Sequence, residues 1–119
     1  MTIAQQLKIK EFPFIINDNN GNRIYYEDSN RHWWKFEYND KGNEIYREDS
    51  DGHWHKREYD DKGNIIYLEN SDGHWWKYEY NDNGNEIYRE NSDGLIIDNR
   101  PKQDKIIEID GIKYKLVKL

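Results

Sequence analysis

The sequence predicts an all-β fold: an antiparallel meander of tandem β-hairpins, capped by an N-terminal strand and a C-terminal β-hairpin. Three observations lead there. Gly21, Gly42, Gly63 and Gly84 recur with a step of 21 residues, each followed by Asn and then, two places on, by Ile-Tyr. A fixed period of this kind marks a repeat array. Between the breaks, short runs such as "HWWKYEY" and "NEIYRE" alternate large and charged side chains, as half-buried strands do. Each unit also carries two glycine-containing breaks, "DSDG" or "NSDG" and "NDNGN" or "DDKGN", which disfavour helix and favour hairpin turns.

Taken in order, residues 1–16 form an N-terminal cap. Its "KEFPFII" stretch reads as an apolar strand whose Pro13 suits a sheet edge. Residues 17–98 hold three full units and a partial fourth, with strands expected near 22–28, 32–38, 43–49, 53–59, 64–70, 74–80 and 85–91. Each hairpin should advance the sheet by about 10 Å, twice the strand spacing. Gly52, Gly73 and Gly94 are placed to supply the positive φ of the tight turn. The first unit has Arg31 there, so that turn is expected to be the most strained or the least regular. Residues 99–119 are a linker followed by an amphipathic hairpin around Asp110-Gly111, suited to covering an edge or a face of the array.

Side chains alternate across a strand. Trp76, Tyr78 and Tyr80 therefore share one face, and Trp75, Lys77 and Glu79 the other. A three-residue Ser71-Asp72-Gly73 loop would join Ile66 and Leu68 to the first face, and Tyr67 and Glu69 to the second. A two-residue loop would swap these partnerships. The three-residue loop is preferred because it gathers one coherent apolar face, the candidate core. The second face then repeats Tyr, Glu, Trp, Lys and Glu. Its candidate partner-binding residues are Trp33, Trp54, Trp75, Tyr46, Tyr67, Lys35, Lys56, Lys77, Glu48 and Glu69, because exposed tryptophan and tyrosine are hot-spot chemistry for protein partners. Glu48 with Lys56, and Glu69 with Lys77, are expected as diagonal ion pairs.

Hydrophobic residues are only 34% of the 119, and aromatic residues 15%. The core should thus be thin and aromatic. The net charge is −6, but residues 100–119 carry six basic and three acidic side chains, so the rest holds −9. An acidic body disfavours nucleic acid, which needs a basic footprint, and suits a basic protein surface. There is no cysteine. "MTIAQQLKIKEF" lacks a basic segment followed by a long apolar run, and no stretch has the length of a membrane span, so a cytoplasmic location is expected.

No catalytic constellation stands out. The carboxylates fall in repeat columns, and a residue copied in every unit serves the repeat. Catalysis and cofactors are not expected. His53 and His55 have the spacing of a metal pair, but His53 belongs to the His32/His74 column and His55 replaces Trp34/Trp76, so no metal is expected. The Asn/Asp-rich turns lack calcium-loop spacing.

"YDDKGNIIYLENSDG", Tyr59 to Gly73, resembles the tyrosine-aspartate repeat of RHS-type proteins over about residues 17–98, with units one and three departing as Y-N-D-x-G-N. That resemblance implies continuous hairpin sheet; the chain is too short for the closed shell of large members. "SDGHWWKYEY" is also similar to choline- and glucan-binding repeats. The array, ending in "NSDGLIIDNRP", resembles small tandem-repeat proteins of bacteriophages, whose functions are mostly unassigned; some small acidic phage proteins inhibit host defence. The expectation is a non-catalytic binding protein, a phage-encoded, anti-CRISPR-like inhibitor of a host enzyme or defence system acting on a host protein in the bacterial cytoplasm. The alternatives are a carbohydrate (cell-wall glycan or choline) binding module and a structural homo-oligomer, such as a homodimer with stacked sheets.

Overall fold

A computed structural model describes residues 1–101 and 105–116. Nine strands form one antiparallel sheet in strict sequence order: β1 (Phe14–Asn17), β2 (Arg23–Glu27), β3 (Trp33–Tyr38), β4 (Glu44–Asp49), β5 (Trp54–Tyr59), β6 (Ile65–Asn70), β7 (Trp75–Tyr80), β8 (Glu86–Asn91) and β9 (Ile96–Asp98). The seven expected repeat strands are all present, the expected N-terminal strand is the edge strand β1, and β9 is added at the other edge. β10 (Lys105–Ile109) and β11 (Ile112–Leu116) pair with each other as a separate two-stranded sheet around Asp110-Gly111. Pro13 precedes the first edge strand, where a missing N–H costs no ladder bond. The radius of gyration is 22.7 Å, far above the roughly 13–14 Å of a compact chain of this length. No helix among the described residues is long and apolar enough to cross a membrane.

Every hairpin of the nine-stranded sheet is closed by one device. At the start of each turn an Asp or Asn side chain accepts the backbone N–H groups two and four residues on. Asp60 Oδ1 takes those of Lys62 and Asn64 at 3.0 and 2.8 Å, and Asn70 Oδ1 those of Asp72 and His74 at 3.0 and 3.2 Å. The backbone closes the same ring: Gly73 donates to Asn70 and Asn70 to His74. The loop is therefore the three-residue one, and Leu68 faces Trp76 while Tyr67 faces Lys77. Only short side chains with an acceptor two atoms from Cβ fit this role, which accounts for the Asp/Asn columns.

Arg31 adopts φ +69° where the later units have glycine. The expected strain is thus present, as a left-handed backbone at a residue other than glycine, while the hydrogen bonding stays regular: Arg31 donates to Asp28 at 3.1 Å, as Gly73 does to Asn70. The cost of the left-handed backbone stays at one residue. The arginine side chain meanwhile reaches Glu27 and lies over the Phe12 ring, 5.0 Å from its centroid.

The other turn of each unit is followed by a bulge. Tyr38 pairs Glu44 but Glu37 pairs Tyr46, leaving Ile45 extra; Tyr59 pairs Ile65 but Glu58 pairs Tyr67, leaving Ile66 extra. A bulge adds a residue without a partner and resets the alternation. Ile45 and Ile66 consequently line grooves with Tyr46, Lys56 and Glu58. The expectation that Ile66 joins Leu68 beneath Trp76 is corrected by this bulge; Leu68 alone stays there.

The two faces differ in kind. On one, Tyr-Glu and Trp-Lys-Glu recur in each unit. On the other, apolar and charged units alternate: Tyr26, Trp34 and Phe36; then Glu44, Arg47, His55 and Arg57; then Ile65, Leu68, Trp76 and Tyr78; then Glu86 and Arg89. The sequence predicts that the variable face is the core, but nothing in the described chain covers it. Among the described residues the fully buried ones are Ala4, Tyr25 and Glu27, and both sheet members of that set lie on the repeated face. They are covered by a short helix, α1 (Ile3–Gln6), capped by Thr2.

Cross-strand clamps replace a second layer. Tyr38, Tyr59 and Tyr80 hydroxyls donate to the backbone carbonyls of Arg23, Glu44 and Ile65 at 2.7, 2.7 and 2.9 Å. Ser50 and Ser92 accept from the Trp33 and Trp75 backbone at 3.2 and 3.1 Å, and their own N–H groups return the bond. Lys41 and Lys62 each donate to the equivalent turn of the next unit, at the carbonyls of Asp61 and Asp82.

Candidate functional site

The register converts repeat columns into rows across the sheet. One row runs Glu37, Tyr46, Lys56, Glu69, Trp75 across β3 to β7. The row before it runs Ile16, Tyr25, Lys35, Glu48, Trp54, and the row after it Glu58, Tyr67, Lys77, Glu90, Ile96. All ten sequence-selected residues fall on this one face. Trp33, Trp54, Trp75, Tyr46, Tyr67, Glu48 and Glu69 are half-buried; Lys35, Lys56 and Lys77 are exposed.

Each lysine lies over the tryptophan two residues before it. Lys35, Lys56 and Lys77 ammonium nitrogens are 4.9, 5.1 and 5.0 Å from the Trp33, Trp54 and Trp75 ring centroids. This corrects the expected diagonal ion pairs: among the described residues Glu48–Lys56 and Glu69–Lys77 form none. An exposed ammonium keeps its water while resting on the ring's negative face, which rivals a solvent-exposed salt bridge. With Glu37, Glu48, Glu58, Glu69, Glu79 and Glu90 set against three lysines, the face is acidic.

Tyrosine and glutamate two residues apart form the second element of the site. Tyr25 donates to Glu27 at 2.7 Å and Tyr88 to Glu90 at 2.9 Å. Burial, the hydrogen bond to Glu27 and its charge push the Tyr25 hydroxyl up to about 12. Tyr46 and Tyr67 are raised by burial and then by the adjacent Glu48 or Glu69 charge.

Three related grooves lie along the face. The first is lined by Ile24, Tyr25, Lys35, Glu37 and Ile45, the second by Ile45, Tyr46, Lys56, Glu58 and Ile66, and the third by Ile66, Tyr67, Lys77, Glu79 and Tyr88. Their volumes are about 780, 780 and 530 Å³.

The end units are engaged by the chain's own groups. Glu27 is fully buried against α1: its Oε2 accepts from the Thr2 hydroxyl at 2.8 Å and Arg31 at 3.3 Å, its Oε1 from Tyr25 and the Ala4 N–H at 3.3 Å. Burial pushes this carboxyl up, but the hydrogen bonds from Tyr25, Thr2, Ala4 and Arg31 outweigh it and hold it below its ordinary value. Ile3 lines the first groove. In the last unit the Arg100 guanidinium lies 4.1 Å from the Tyr88 ring centroid and pairs with Glu79 and Asp98 at 3.1 and 2.8 Å. Sequence reasoning missed Glu27, Tyr25, Tyr88 and Arg100. The first three carry a signal, since they extend the Tyr and Glu columns; Arg100 has none.

Asp49, Asp51 and His53 place ligand atoms within 4.8 Å of one another, without His55. Asp49 is already committed to the turn, accepting the Asp51 and His53 N–H groups at 2.9 and 3.1 Å. Burial raises its carboxyl, and these bonds lower it further than burial raises it. His55 faces Arg47 and Asn70 across the sheet.

The arrangement supplies acceptors, ring area and a few exposed cations, the chemistry of recognition. No protein-family model matches the chain, and no curated protein matches it.

Proposed function

We propose that this chain is a non-catalytic binding protein that engages a protein partner through the repeated Tyr–Glu–Trp–Lys face. The observation that carries the reading is the invariance of this face. Three units repeat it while the opposite face changes from unit to unit, and in the two inner units nothing in the described chain covers it. Half-exposed tryptophan and tyrosine supply contact area at low conformational cost. The surplus of glutamate over lysine favours a partner surface rich in hydrogen-bond donors or positive charge. The finer reading is a bacteriophage inhibitor of a host enzyme or defence system; it rests on the resemblance of the repeat. Affinity capture from bacterial lysate, comparing the chain with its Trp54→Ala/Trp75→Ala variant, tests both levels. A stoichiometric partner lost in the variant, together with phage protection in a plaque assay, is expected. A partner retained in full by the variant overturns the role of this face, and no change in plaque formation overturns the inhibitor reading.

A further inference from the structure

We propose that Glu48 and Glu69 each cap the start of a helix offered by the partner, as Glu27 caps the start of the chain's own α1. The proposal rests on the reading that the repeated face binds protein, and names what that face recognises.

Glu27, Glu48 and Glu69 are one column, each two residues after a tyrosine on the same side of the sheet. In the first unit the column meets its ligand within the chain. Thr2 is the N-cap of α1, its hydroxyl accepting the Gln5 N–H at 3.2 Å while donating to Glu27 at 2.8 Å. Ala4 adds a backbone N–H to the same carboxylate at 3.3 Å and is itself fully buried. The Ile3 N–H sits beside the Tyr25 hydroxyl, and Ile3 enters the first groove. The first N–H groups of a helix have no partner within it, and the positive end of the peptide dipoles favours a carboxylate there. The seat is therefore a tyrosine, a glutamate and an apolar groove, filled by a hydroxyl residue, an apolar residue and a small one.

Units two and three keep the tyrosine, the glutamate and the groove of this seat, with Gly52 or Gly73 where unit one has Arg31 and with Lys35 or Lys56 opposite the glutamate where unit one has Phe14. Tyr46 with Glu48, and Tyr67 with Glu69, stand beside grooves built from the same columns, with Ile45 or Ile66 in place of Ile24. Neither glutamate accepts a backbone N–H among the described residues, and both are half-exposed where Glu27 is buried. The fourth unit is closed differently, by Arg100 over Tyr88. The two inner seats are thus the open ones. They are two strand spacings apart across the sheet and two residues apart along it, about 12 Å in all, so each seat takes its own helix start.

The test uses the full chain, labelled with nitrogen-15, and a synthetic peptide of residues 1–9, "MTIAQQLKI". The expected result is saturable movement of the Trp54 and Trp75 indole N–H signals. Affinity should fall about tenfold or more when the protein carries Glu48→Gln and Glu69→Gln. The same loss is expected, with unmodified protein, when the peptide carries Thr2→Val, so the answer does not depend on how the variant protein folds. Indole signals unmoved by the peptide, or moved equally by the Thr2→Val peptide, overturn the proposal. A lysine-rich peptide of the same length separates this outcome from failure of the wider reading. If it moves Trp54 and Trp75 where the residue 1–9 peptide does not, the face still binds basic protein and only the helix-capping proposal falls. If neither peptide moves them, both fall.

Discussion

At the scale of single residues, the most constrained side chain is the charged Glu27. A buried carboxylate is costly unless its oxygens are satisfied, and Glu27 accepts four donors, from Thr2, Ala4, Tyr25 and Arg31. Glu27→Gln keeps the shape but turns an NH₂ group toward donors, so a loss of about 2–3 kcal/mol in urea unfolding is expected at neutral pH. The pH dependence has a defined sign. The carboxyl sits below its ordinary value of 4.5 in the folded chain, so its stabilisation is complete above that value and is lost as pH falls through the folded one. The stability gap between the native chain and the Glu27→Gln variant should therefore shrink in acid. Tyr25 acts in the opposite direction. Raised from 10.0 to about 12, it stabilises fully below pH 10 and loses that contribution as pH climbs through 12, so it should be among the last tyrosines to ionise in an ultraviolet titration. A second pair of substitutions isolates backbone strain. Gly73 has φ +84° with open space around the missing Cβ, so Gly73→Ala should lower stability by about 1 kcal/mol through conformation alone. Arg31→Gly relieves the same strain but removes the contacts to Glu27 and Phe12. Thermal unfolding should show the smaller net change for Arg31→Gly.

At the scale of elements, the hairpins were legible because their punctuation is chemical. Asp or Asn at the turn start answers the hydrogen bonds the turn makes, and Gly before the next strand answers its positive φ. The three-residue loop followed from a different argument, that one register collects apolar side chains, and it holds at Asn70–His74. That argument still misassigned Ile66, because a bulge leaves no mark in a strand of uniformly β-forming residues. Helix α1 escaped notice for a related reason: four residues carry too little periodicity to register, and its stability comes from Glu27, 23 residues away from Ala4. The ten candidate residues could be grouped onto one face from alternation together with the three-residue loop. The lysine–tryptophan stacking could not, since alternation fixes the side of a residue and leaves its partner open. The tyrosine clamps make a prediction at this scale. Tyr59 donates to the Glu44 carbonyl from a half-buried position, and Tyr59→Phe removes one hydrogen bond while keeping the ring. A loss of about 1 kcal/mol is expected, with hydrogen exchange accelerating first in β4 and β5 and little change in β8.

For the whole molecule, the question is what makes a one-layer sheet of nine strands stable when only Ala4, Tyr25 and Glu27 are fully buried among the described residues. The answer lies in neighbour-to-neighbour terms: strand pairing, turn closure, Tyr and Ser clamps, and the lysine links between equivalent turns. Such an array behaves as a sum of unit and interface contributions, and its ends matter more than its middle, since an end unit has one neighbour and an open edge. Two deletions of equal length separate these roles. Removing residues 43–63 joins Gly42 to Asn64, the residue type that follows Gly42 in the intact chain, and leaves every column in register. The shortened chain should keep its β-sheet circular dichroism and unfold at lower denaturant with a smaller slope. Removing residues 1–21 instead takes away α1 and β1, strips Thr2 and Ala4 from Glu27, and exposes Tyr25. That chain should lose far more stability than the internal deletion and should unfold from its first hairpin, seen as early loss of protection in β2 and β3. Equal stabilities for the two chains would mean that the N-terminal segment is an appendage, and that the repeat carries its own edge without a cap.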